Sequence, residues 1–388
     1  MDDFGLQTAI ELDGRKFIIH TGTLMERQQV ISEIFEEGLF LTARELYLPL
    51  RRENTPVNYE FITGLTNQFH EQVIDELKIL YRIQQKLEKV YPAKKKQQDA
   101  KPFVNLGILF LRRNLYEEAE RAFLRALTIQ KGNVKANVGL GITYLKMRQF
   151  TNAVSVLQKT VSEHQRFPDV LNYLGLAHLF AGHLERATTL FKEAIQINPE
   201  YVEAQFNLGV ALYKSALQGV KDPRAVAVPA RVSIYLKQVR DLEKYRDPQW
   251  EKEFSEVLEL MKDNDHEVIL PLLERLQLKL VEMFVKNEKV AEFFLKFQYG
   301  GKAFDVRTIS RYDMFFLNSG TKAHQYPDYW NNRGVFQLIK SHAYFQEAMR
   351  SLKNAIALEP NYHEAQDILD KLKAHEKGFI FMIRAMLK

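Results

Sequence analysis

The sequence predicts a mainly α-helical protein, in which an α-solenoid of stacked helical hairpins follows a small antiparallel β-meander and one long helix. Three observations predict this architecture. Glycines recur every 34 residues in the middle of the chain. Near the N-terminus, an acidic residue followed by glycine twice separates two runs of the alternating pattern typical of β-strands. Between these two regions, apolar residues keep a helical spacing. At 388 residues and 46% apolar content, the chain can bury a substantial core over two or three domains.

The first 50 residues carry the signals of β-hairpins. Asp13-Gly14 lies between two alternating runs, and Glu37-Gly38 lies between two further runs. Such pairs accept the positive φ angles that two-residue hairpin turns require. We therefore expect an antiparallel meander of about four strands.

A long amphipathic helix is predicted within Tyr59 to Val90. Its apolar side is formed by Ile62, Leu65, Phe69, Val73, Leu77, Leu80, Leu87 and Val90. We expect this helix to pack on the meander and to lead into the first repeat. Residues 1–92 are accordingly predicted to form one domain.

Four glycines, Gly107, Gly141, Gly175 and Gly209, set the register of an internal repeat of 34 residues. An alanine follows each of the first three glycines after 12 residues, and a large apolar residue follows each alanine after four, at Ala119 and Phe123, Ala153 and Leu157, and Ala187 and Phe191. Small residues let paired helices approach closely, and one hairpin cannot bury its apolar faces alone. We expect three stacked hairpins and the first helix of a fourth over 93–218, with Phe123 and Phe191 wedged between neighbouring hairpins.

This order of small, large, small and proline positions, which Pro199 closes in the third repeat, resembles the tetratricopeptide repeat. The resemblance covers about 100–218 and returns over 326–376, through Trp330, Gly334, Ala348, Leu352, Ala355 and Pro360. There the glycine and alanine are 14 rather than 12 residues apart, which predicts a longer helix or turn. We expect 219–325 to be a helical insert outside the repeat pattern, and 326–388 to contain one repeat, a capping helix and an apolar tail.

Composition excludes several classes of function. The chain has 54 Lys and Arg against 49 Asp and Glu, and a net charge of +5 over this length is too dilute to predict a nucleic-acid partner. No run approaches the ~18 apolar residues of a membrane span, and the N-terminus lacks the basic and apolar segments of a secretory signal. Since the chain also has no cysteine, we expect a cytoplasmic bacterial protein with no transmembrane segment and no peripheral membrane contact.

No motif predicts catalysis. The string GLG that ends at Gly141 lacks the rest of a phosphate-binding loop, and the repeat register already explains Gly141. His178 and His183 are five residues apart and have no carboxylate partner, so they do not predict a metal site. The chain has no cysteine nucleophile and no GxSxG motif. We expect no enzyme activity, no cofactor and no bound metal.

The resemblance implies that the first helix of each repeat lines a concave face, where positions 2, 5, 9, 12 and 13 contact ligands when the glycine is position 8. Positions 5, 9 and 12 of the four repeats carry Val104, Ile108 and Leu111; Val138, Ile142 and Leu145; Asn172, Leu176 and Leu179; and Phe206, Val210 and Tyr213. Position 13 adds Arg112, Lys146 and Lys214, and position 2 adds Asp169. The Lys, Arg and Asn set with which some family members clamp a C-terminal carboxylate is absent.

The predicted function is therefore a non-catalytic scaffold or adaptor whose apolar, partly basic groove binds an apolar or amphipathic peptide or helix of a protein partner. Asn172 and Asn331, which share position 5, are the amides expected to contact an extended backbone. The alternative is a self-assembling structural protein. In that case the chain's own insert or the apolar tail from Phe379 to Leu387 fills the groove or joins copies into a homo-oligomer.

Overall fold

The computed structural model of the protein describes residues 5–25, 28–48, 59–92, 99–163, 166–218, 228–242, 245, 248–262, 266–281, 288–300, 309–310, 312–313 and 327–386. The strands are β1 (Gly5–Leu12), β2 (Arg15–Leu24), β3 (Gln29–Glu36) and β4 (Leu39–Tyr47). The helices are α1 (Tyr59–Val90), α2 (Lys101–Arg112), α3 (Tyr116–Ile129), α4 (Val134–Lys146), α5 (Phe150–Glu163), α6 (Pro168–Phe180), α7 (Leu184–Ile197), α8 (Val202–Gln218), α9 (Val228–Arg240), α10 (Pro248–Leu260), α11 (His266–Leu280), α12 (Glu288–Tyr299), α13 (Pro327–Leu358) and α14 (His363–Met386).

The chain divides into two compact units. The first compact unit contains Met1–Asp75 and Lys96–Phe284, and the second contains Glu76–Lys95 and Val285–Lys388. The first half of α1 therefore belongs with the sheet and the repeats, and its second half with the C-terminal helices. This grouping differs from the four consecutive segments expected from the sequence.

The sheet is the antiparallel meander that the sequence predicts, with strand order β1-β2-β3-β4. Both predicted turns have positive φ at their two central residues, with values of 57° and 72° at Asp13 and Gly14 and of 48° and 83° at Glu37 and Gly38. Alternate residues of β2, beginning with Phe17 and Ile19, are buried. The period-two pattern thus turns one face of the sheet toward the core.

The first half of α1 packs on this inner face through a polar seam. The imidazole of His70 is 2.8 Å from the hydroxyl oxygens of both Thr8 and Thr21, and the hydroxyls of Thr23 and Thr66 lie 3.0 Å apart. The residue His70 is 3% exposed. Buried polar groups need such partners, so these bonds fix how α1 lies on the sheet. The predicted packing of the helix on the meander is confirmed for this half.

His70 makes the stability of the first compact unit depend on pH. Burial lowers the pKa of His70 below the ordinary histidine value of 6.5, against a smaller raising effect of Glu71. The unfolded chain therefore binds a proton at a higher pH than the folded chain does. The stability contributed by neutral His70 is fully present above about pH 6.5 and is lost as the pH falls toward the folded-state pKa.

We expect the unfolding temperature of the wild type to fall between about pH 7 and about pH 5 more steeply than that of His70→Asn, which keeps a hydrogen-bonding side chain but cannot titrate there. Circular dichroism melts across this range measure the difference. His375→Asn is the matched control, because His375 lies on the exposed side of α14. Parallel pH profiles for the wild type and His70→Asn would contradict the assignment.

A buried carboxylate joins the sheet to the first repeat. Glu118 of α3 has a fully buried side chain, and its Oε1 accepts hydrogen bonds of 2.7 Å from Arg15 Nη1 and from Arg121 Nη2. Arg15 also pairs with Glu36 across the sheet. A buried charge is tolerated only when it is paired, so this network ties β2 to α3. The sheet and the repeats belong to one compact unit for this reason among others.

The hairpins α2/α3, α4/α5 and α6/α7 share one turn, repeated at the 34-residue period. Asn114, Arg148 and Gly182 have φ of 57°, 57° and 87°. In each case the next N–H donates to the carbonyl five residues back, as from Leu115 to Phe110. This is the helix stop of the Schellman type, in which one left-handed residue releases the chain from the helix. The same local signal therefore ends the first helix three times.

The glycines of the register are sites of close packing, as predicted. A Cβ added at Gly107 would lie 2.7 Å from the ring of Phe123, and one at Gly175 would lie 2.6 Å from the ring of Phe191. The Phe123 ring also lies 2.4 Å from the position of a Cβ at Gly139, in the next repeat. Phe123 is thus wedged between two neighbouring hairpins. In the string GLG, Gly141 packs closely against Leu157, as the repeat register predicts, and Gly139 makes room for the ring of Phe123.

The fourth repeat is completed by a helix of the predicted insert. α9 packs against α8, and Val232 and Tyr235 contact the place where a Cβ of Gly209 would stand, at 3.4 and 3.3 Å. Ala216 occupies the place of the left-handed turn residue, and α8 accordingly continues to Gln218. α9, α10 and α11 then share one buried cluster with α8. The helices predicted within the insert are confirmed at α10 and α11.

The C-terminal repeat is where the prediction is wrong. α13 is one continuous helix from Pro327 to Leu358, so these residues form no helical hairpin. No atom of the described residues lies within 4 Å of a Cβ placed at Gly334, so that within this part of the chain it is not a close-packing site. The physical reason is local, because Ser341 stands where the repeats place their left-handed residue and no glycine, proline or asparagine follows it before Asn354.

This difference predicts opposite effects for the same substitution. Gly175→Ala should destabilise the protein by about 1 to 3 kcal/mol, because the new methyl group forces Phe191 out of place. Gly334→Ala should stabilise it by about 0.5 to 1 kcal/mol, because alanine is the better helix former and its methyl group meets no atom of the described residues. Urea unfolding of each variant, followed by circular dichroism, measures both effects. Destabilisation of equal size in both variants would mean that Gly334 is a close-packing site, as in a helical hairpin, and would contradict the single helix over 327–358.

Candidate functional site

The first helices of the repeats form one inner layer, in which α2 packs against α4, α4 against α6 and α6 against α8. Every predicted groove position on this layer other than those of charged residues is less than a tenth exposed. These positions are Val104, Ile108, Leu111, Val138, Ile142, Leu145, Asn172, Leu176, Leu179, Phe206, Val210 and Tyr213. The concave face is consequently not an open apolar trough.

Helix α11 covers the part of this face that α8 contributes. Its buried residues Ile269, Leu273, Leu276 and Leu280 follow spacings of four, three and four, and they share one cluster with Phe206, Val210 and Tyr213. Such spacing places the four side chains in one stripe along the helix. α11 therefore lies on the concave face as an amphipathic helix whose apolar stripe points into it.

Lys146 binds the C-terminal end of α11. Its Nζ donates to the carbonyl oxygens of Leu278 and Lys279, at 2.7 and 3.2 Å. The last carbonyls of a helix have no partner within the helix and carry the negative end of its dipole, so a lysine there is favourable. One of the two rim lysines predicted at position 13 thus binds a helix end.

Lys214, the other rim lysine, forms an ion pair with the middle of α11. Its Nζ lies 2.6 Å from Oε1 of Glu274, and the two side chains are 28% and 27% exposed. A pair this exposed contributes at most about 1 kcal/mol, because water and salt screen it. The pair therefore contributes less to stability than to specificity, because it favours a helix that places a carboxylate beside Lys214.

A ladder of buried amides fixes the register of α11. Gln277 donates from Nε2 to Oδ1 of Asn207 at 2.9 Å, and Asn207 donates from Nδ2 to Oδ1 of Asn172 at 2.9 Å. Asn172 in turn donates to the hydroxyl of Tyr201 at 3.3 Å. Burial raises the pKa of Tyr201 well above 10, with Tyr173, Glu203 and Asp169 adding to the effect, so that its hydroxyl stays protonated. Among the described residues, Oε1 of Gln277 finds no hydrogen-bond partner.

Three members of this ladder were not predicted as site residues. Asn207 stands at position 6 of the fourth repeat, one residue after position 5, and position 6 was not among the predicted contact positions. It therefore lies 35 rather than 34 residues after Asn172. Gln277 is the one amide in the apolar stretch VILPLLERLQLKLV. A polar residue at the buried spacing of such a stretch is the signal that could have identified it.

Three other predicted site residues carry polar side chains, namely Arg112, Asp169 and Asn331. Arg112 is exposed on α2, and Asp169 is half-buried and accepts a hydrogen bond of 2.9 Å from the N–H of Val170. Asn331 is exposed on α13, in the second compact unit, whereas Asn172 belongs to the first. The structure therefore assigns the two amides that share position 5 to different compact units.

The described residues hold no group of three or more His, Asp or Glu side chains placed to bind a metal ion. His178 and His183 lie with their Nδ1 atoms 3.2 Å apart, and burial, with smaller effects of His183 and Arg186, lowers the pKa of His178. Within the ranges that the structure describes, no helix combines the length and the apolar character of a membrane span.

Several known proteins are similar to part of this chain. The Drosophila melanogaster protein O-mannosyl-transferase Tmtc3 is 30% identical over 133 residues, which are 30% of this chain and 14% of the relative. The crystal structure of YrrB, described as a TPR protein with an unusual peptide-binding site, is 19% identical over 48% of this chain and 96% of its own, with a TM-score of 0.32. The structure of Pseudomonas aeruginosa pilF is 16% identical over 70% of this chain and 97% of its own, also with a TM-score of 0.32.

Two family models match the repeats themselves. One, described as "Tetratricopeptide repeat", covers residues 103–135, and the other, described as "TPR repeat", covers residues 181–215. The first match spans the hairpin α2/α3, and the second runs from the turn before α7 into α8. With the 34-residue register and its recurring helix stop, these matches show that the chain contains tetratricopeptide repeats.

Proposed function

We propose that this protein is a non-catalytic interaction scaffold whose concave face binds an amphipathic helix or an apolar peptide of a protein partner. Tetratricopeptide repeats support a role in protein interaction, and the finer proposal rests on one observation. The concave face holds an amphipathic helix, α11, through the lysines that border the groove. A surface that binds a helix of its own chain has the shape and polarity to bind one from another protein.

The contacts of α11 define what such a ligand must supply. Apolar side chains fill the space beside Phe206, Val210 and Tyr213. A carboxylate pairs with Lys214, and the ligand's helix end lies against Lys146. The expected ligand class is therefore a helix with one apolar face and an acidic residue at its edge.

A labelled peptide with the sequence 266–281 tests the proposal on the full chain. We expect saturable binding, measured by fluorescence anisotropy, and about tenfold preference for this peptide over one carrying Glu274→Lys. In the Lys214→Glu chain the preference should reverse, because the charges of the pair are exchanged. Comparing two peptides on the same chain cancels any competition from α11 itself.

Lys192→Glu is the matched control, since Lys192 is exposed on α7 and makes the same change of charge elsewhere on the solenoid. A peptide with Leu273→Glu and Leu276→Glu controls for non-specific attraction to the basic rim. Equal peptide preference in the Lys214→Glu and Lys192→Glu chains would exclude the concave face as the binding site.

The alternative function, a self-assembling structural protein, is favoured by the apolar surface at the end of α14. The side chains of Phe381 and Met382 are 76% and 39% exposed. Exposed apolar residues at a helix end can join copies of a chain. Light scattering of the full chain and of a chain ending at Lys377 tests this, and the same mass per particle for both would remove the tail as an assembly contact.

A further inference from the structure

We infer that α11 is an intramolecular pseudo-ligand, which occupies the concave face until a partner helix with a matching pattern displaces it. This inference rests on the proposed function and adds its regulation and its recognition pattern. The observation behind it is that one helix satisfies both lysines of the groove rim and the amide of Asn207 at the same time.

The recognition pattern can be read from α11. Counting from Ile269, apolar residues stand at the first, fifth, eighth and twelfth places, where Leu273, Leu276 and Leu280 follow. A glutamate stands at the sixth place, opposite Lys214, and a glutamine at the ninth, opposite Asn207. A partner helix with this order of apolar, acidic and amide side chains would form the same contacts.

Two features make α11 an imperfect occupant of its own groove. Pro271 lies inside the helix, where it lacks the N–H that would continue the hydrogen-bonding pattern. Gln277 is 1% exposed, and its Oε1 is buried without a partner among the described residues. A buried acceptor left unpaired opposes binding. A partner helix that has no proline, and that satisfies this acceptor or lacks it, would therefore compete well.

Attachment to the same chain compensates for this imperfect fit. A tethered ligand acts at an effective concentration on the order of millimolar, so a weak contact still keeps the groove occupied. Weakening α11 in the chain should therefore strengthen the binding of a helix added in solution. This coupling is the measurable sign of a pseudo-ligand, and a purely structural helix would not show it.

Glu274→Lys in the full chain is the first test, with the labelled peptide 266–281 of unchanged sequence as the probe. Because the substitution places two positive charges together in α11's own contact, we expect the peptide to bind about tenfold more tightly than to the wild type. Glu256→Lys is the control, since Glu256 is exposed on α10 and makes the same change of charge. Circular dichroism verifies that both variants keep their helices.

Locking α11 in place is the second test. The chain has no cysteine, so Lys214→Cys and Glu274→Cys together provide the two thiols for a short bis-maleimide cross-link. The cross-linked double-cysteine chain should bind the peptide at least about tenfold more weakly than the same double-cysteine chain whose thiols are capped with a monofunctional maleimide. Both samples lack the charges of Lys214 and Glu274, so the difference between them reports the lock alone.

The outcomes separate the two proposals. If the peptide binds the wild type, the Glu274→Lys chain and the cross-linked chain equally well, binding to the protein stands and the pseudo-ligand inference is overturned. If the peptide binds none of the chains, the concave-face function fails and the inference fails with it. Tighter binding to Glu274→Lys together with loss in the cross-linked chain supports both.

Discussion

Phe123→Ala is expected to destabilise the first compact unit by about 3 to 5 kcal/mol, the range found when a fully buried phenylalanine is truncated. The side chain is 0% exposed, and its ring lies in the space left by the missing Cβ atoms of Gly107 and Gly139. Neither glycine can supply atoms to fill the resulting cavity. The loss therefore weakens two contacts, one within the first hairpin and one with the second.

Urea unfolding measures this effect, with circular dichroism for the helices and Trp250 fluorescence for the first compact unit. The protein has two tryptophans, so Trp330→Phe serves as the background in which Trp250 reports alone. Leu124→Ala is the matched control, because Leu124 is the next residue of α3 and is 43% exposed. It should cost less than about 1 kcal/mol. Similar losses for Leu124→Ala and Phe123→Ala would contradict the wedge.

The parts of the fold that sequence predicts correctly are those with local causes. Asp13-Gly14 and Glu37-Gly38 specify their turns, since the residues that accept positive φ are adjacent. The register of the repeat follows from pairs such as Gly175 and Phe191, in which a missing side chain and a ring occupy one space. Such constraints recur at a fixed period and can be counted.

The C-terminal repeat shows what this counting misses. Gly334 repeats the glycine of the register, but Ser341 does not repeat the left-handed turn residue, and α13 continues through it. In the true repeats the turn is marked by Asn114, Arg148 and Gly182, of which Arg148 is a residue type that seldom takes this conformation. The residue type at the turn thus differs from repeat to repeat, and the register glycine alone does not predict that a turn follows.

The candidate site was predictable in part for a different reason. The rim residues Lys146 and Lys214 follow from the repeat register, but the identity of their partner does not. The apolar stripe of α11 shows that this helix buries one face, but it does not show which surface covers that face. Choosing between an internal and an external occupant requires the long-range pairing that only the structure provides.

Asn207→Ala is expected to destabilise the contact between α8 and α11 by about 2 to 6 kcal/mol, because it leaves two buried groups without partners at about 1 to 3 kcal/mol each. These groups are Oδ1 of Asn172 and Nε2 of Gln277, both on residues 3% or less exposed. Urea unfolding measured by Trp250 fluorescence detects the loss, since the Trp250 side chain packs against the same cluster.

Gln277→Leu is the informative comparison. It removes the donor of the same hydrogen bond, but it leaves fewer buried polar groups unpaired than Asn207→Ala does. It leaves Oδ1 of Asn207 unpaired, but it also removes Oε1 of Gln277, which has no partner among the described residues. The two effects oppose each other, so Gln277→Leu should cost at most about 1 kcal/mol. Because Asn207→Ala has already broken the bond, adding Gln277→Leu should recover stability by removing the stranded amide. A double variant less stable than Asn207→Ala alone would mean that Gln277 does not hold α11 through this ladder.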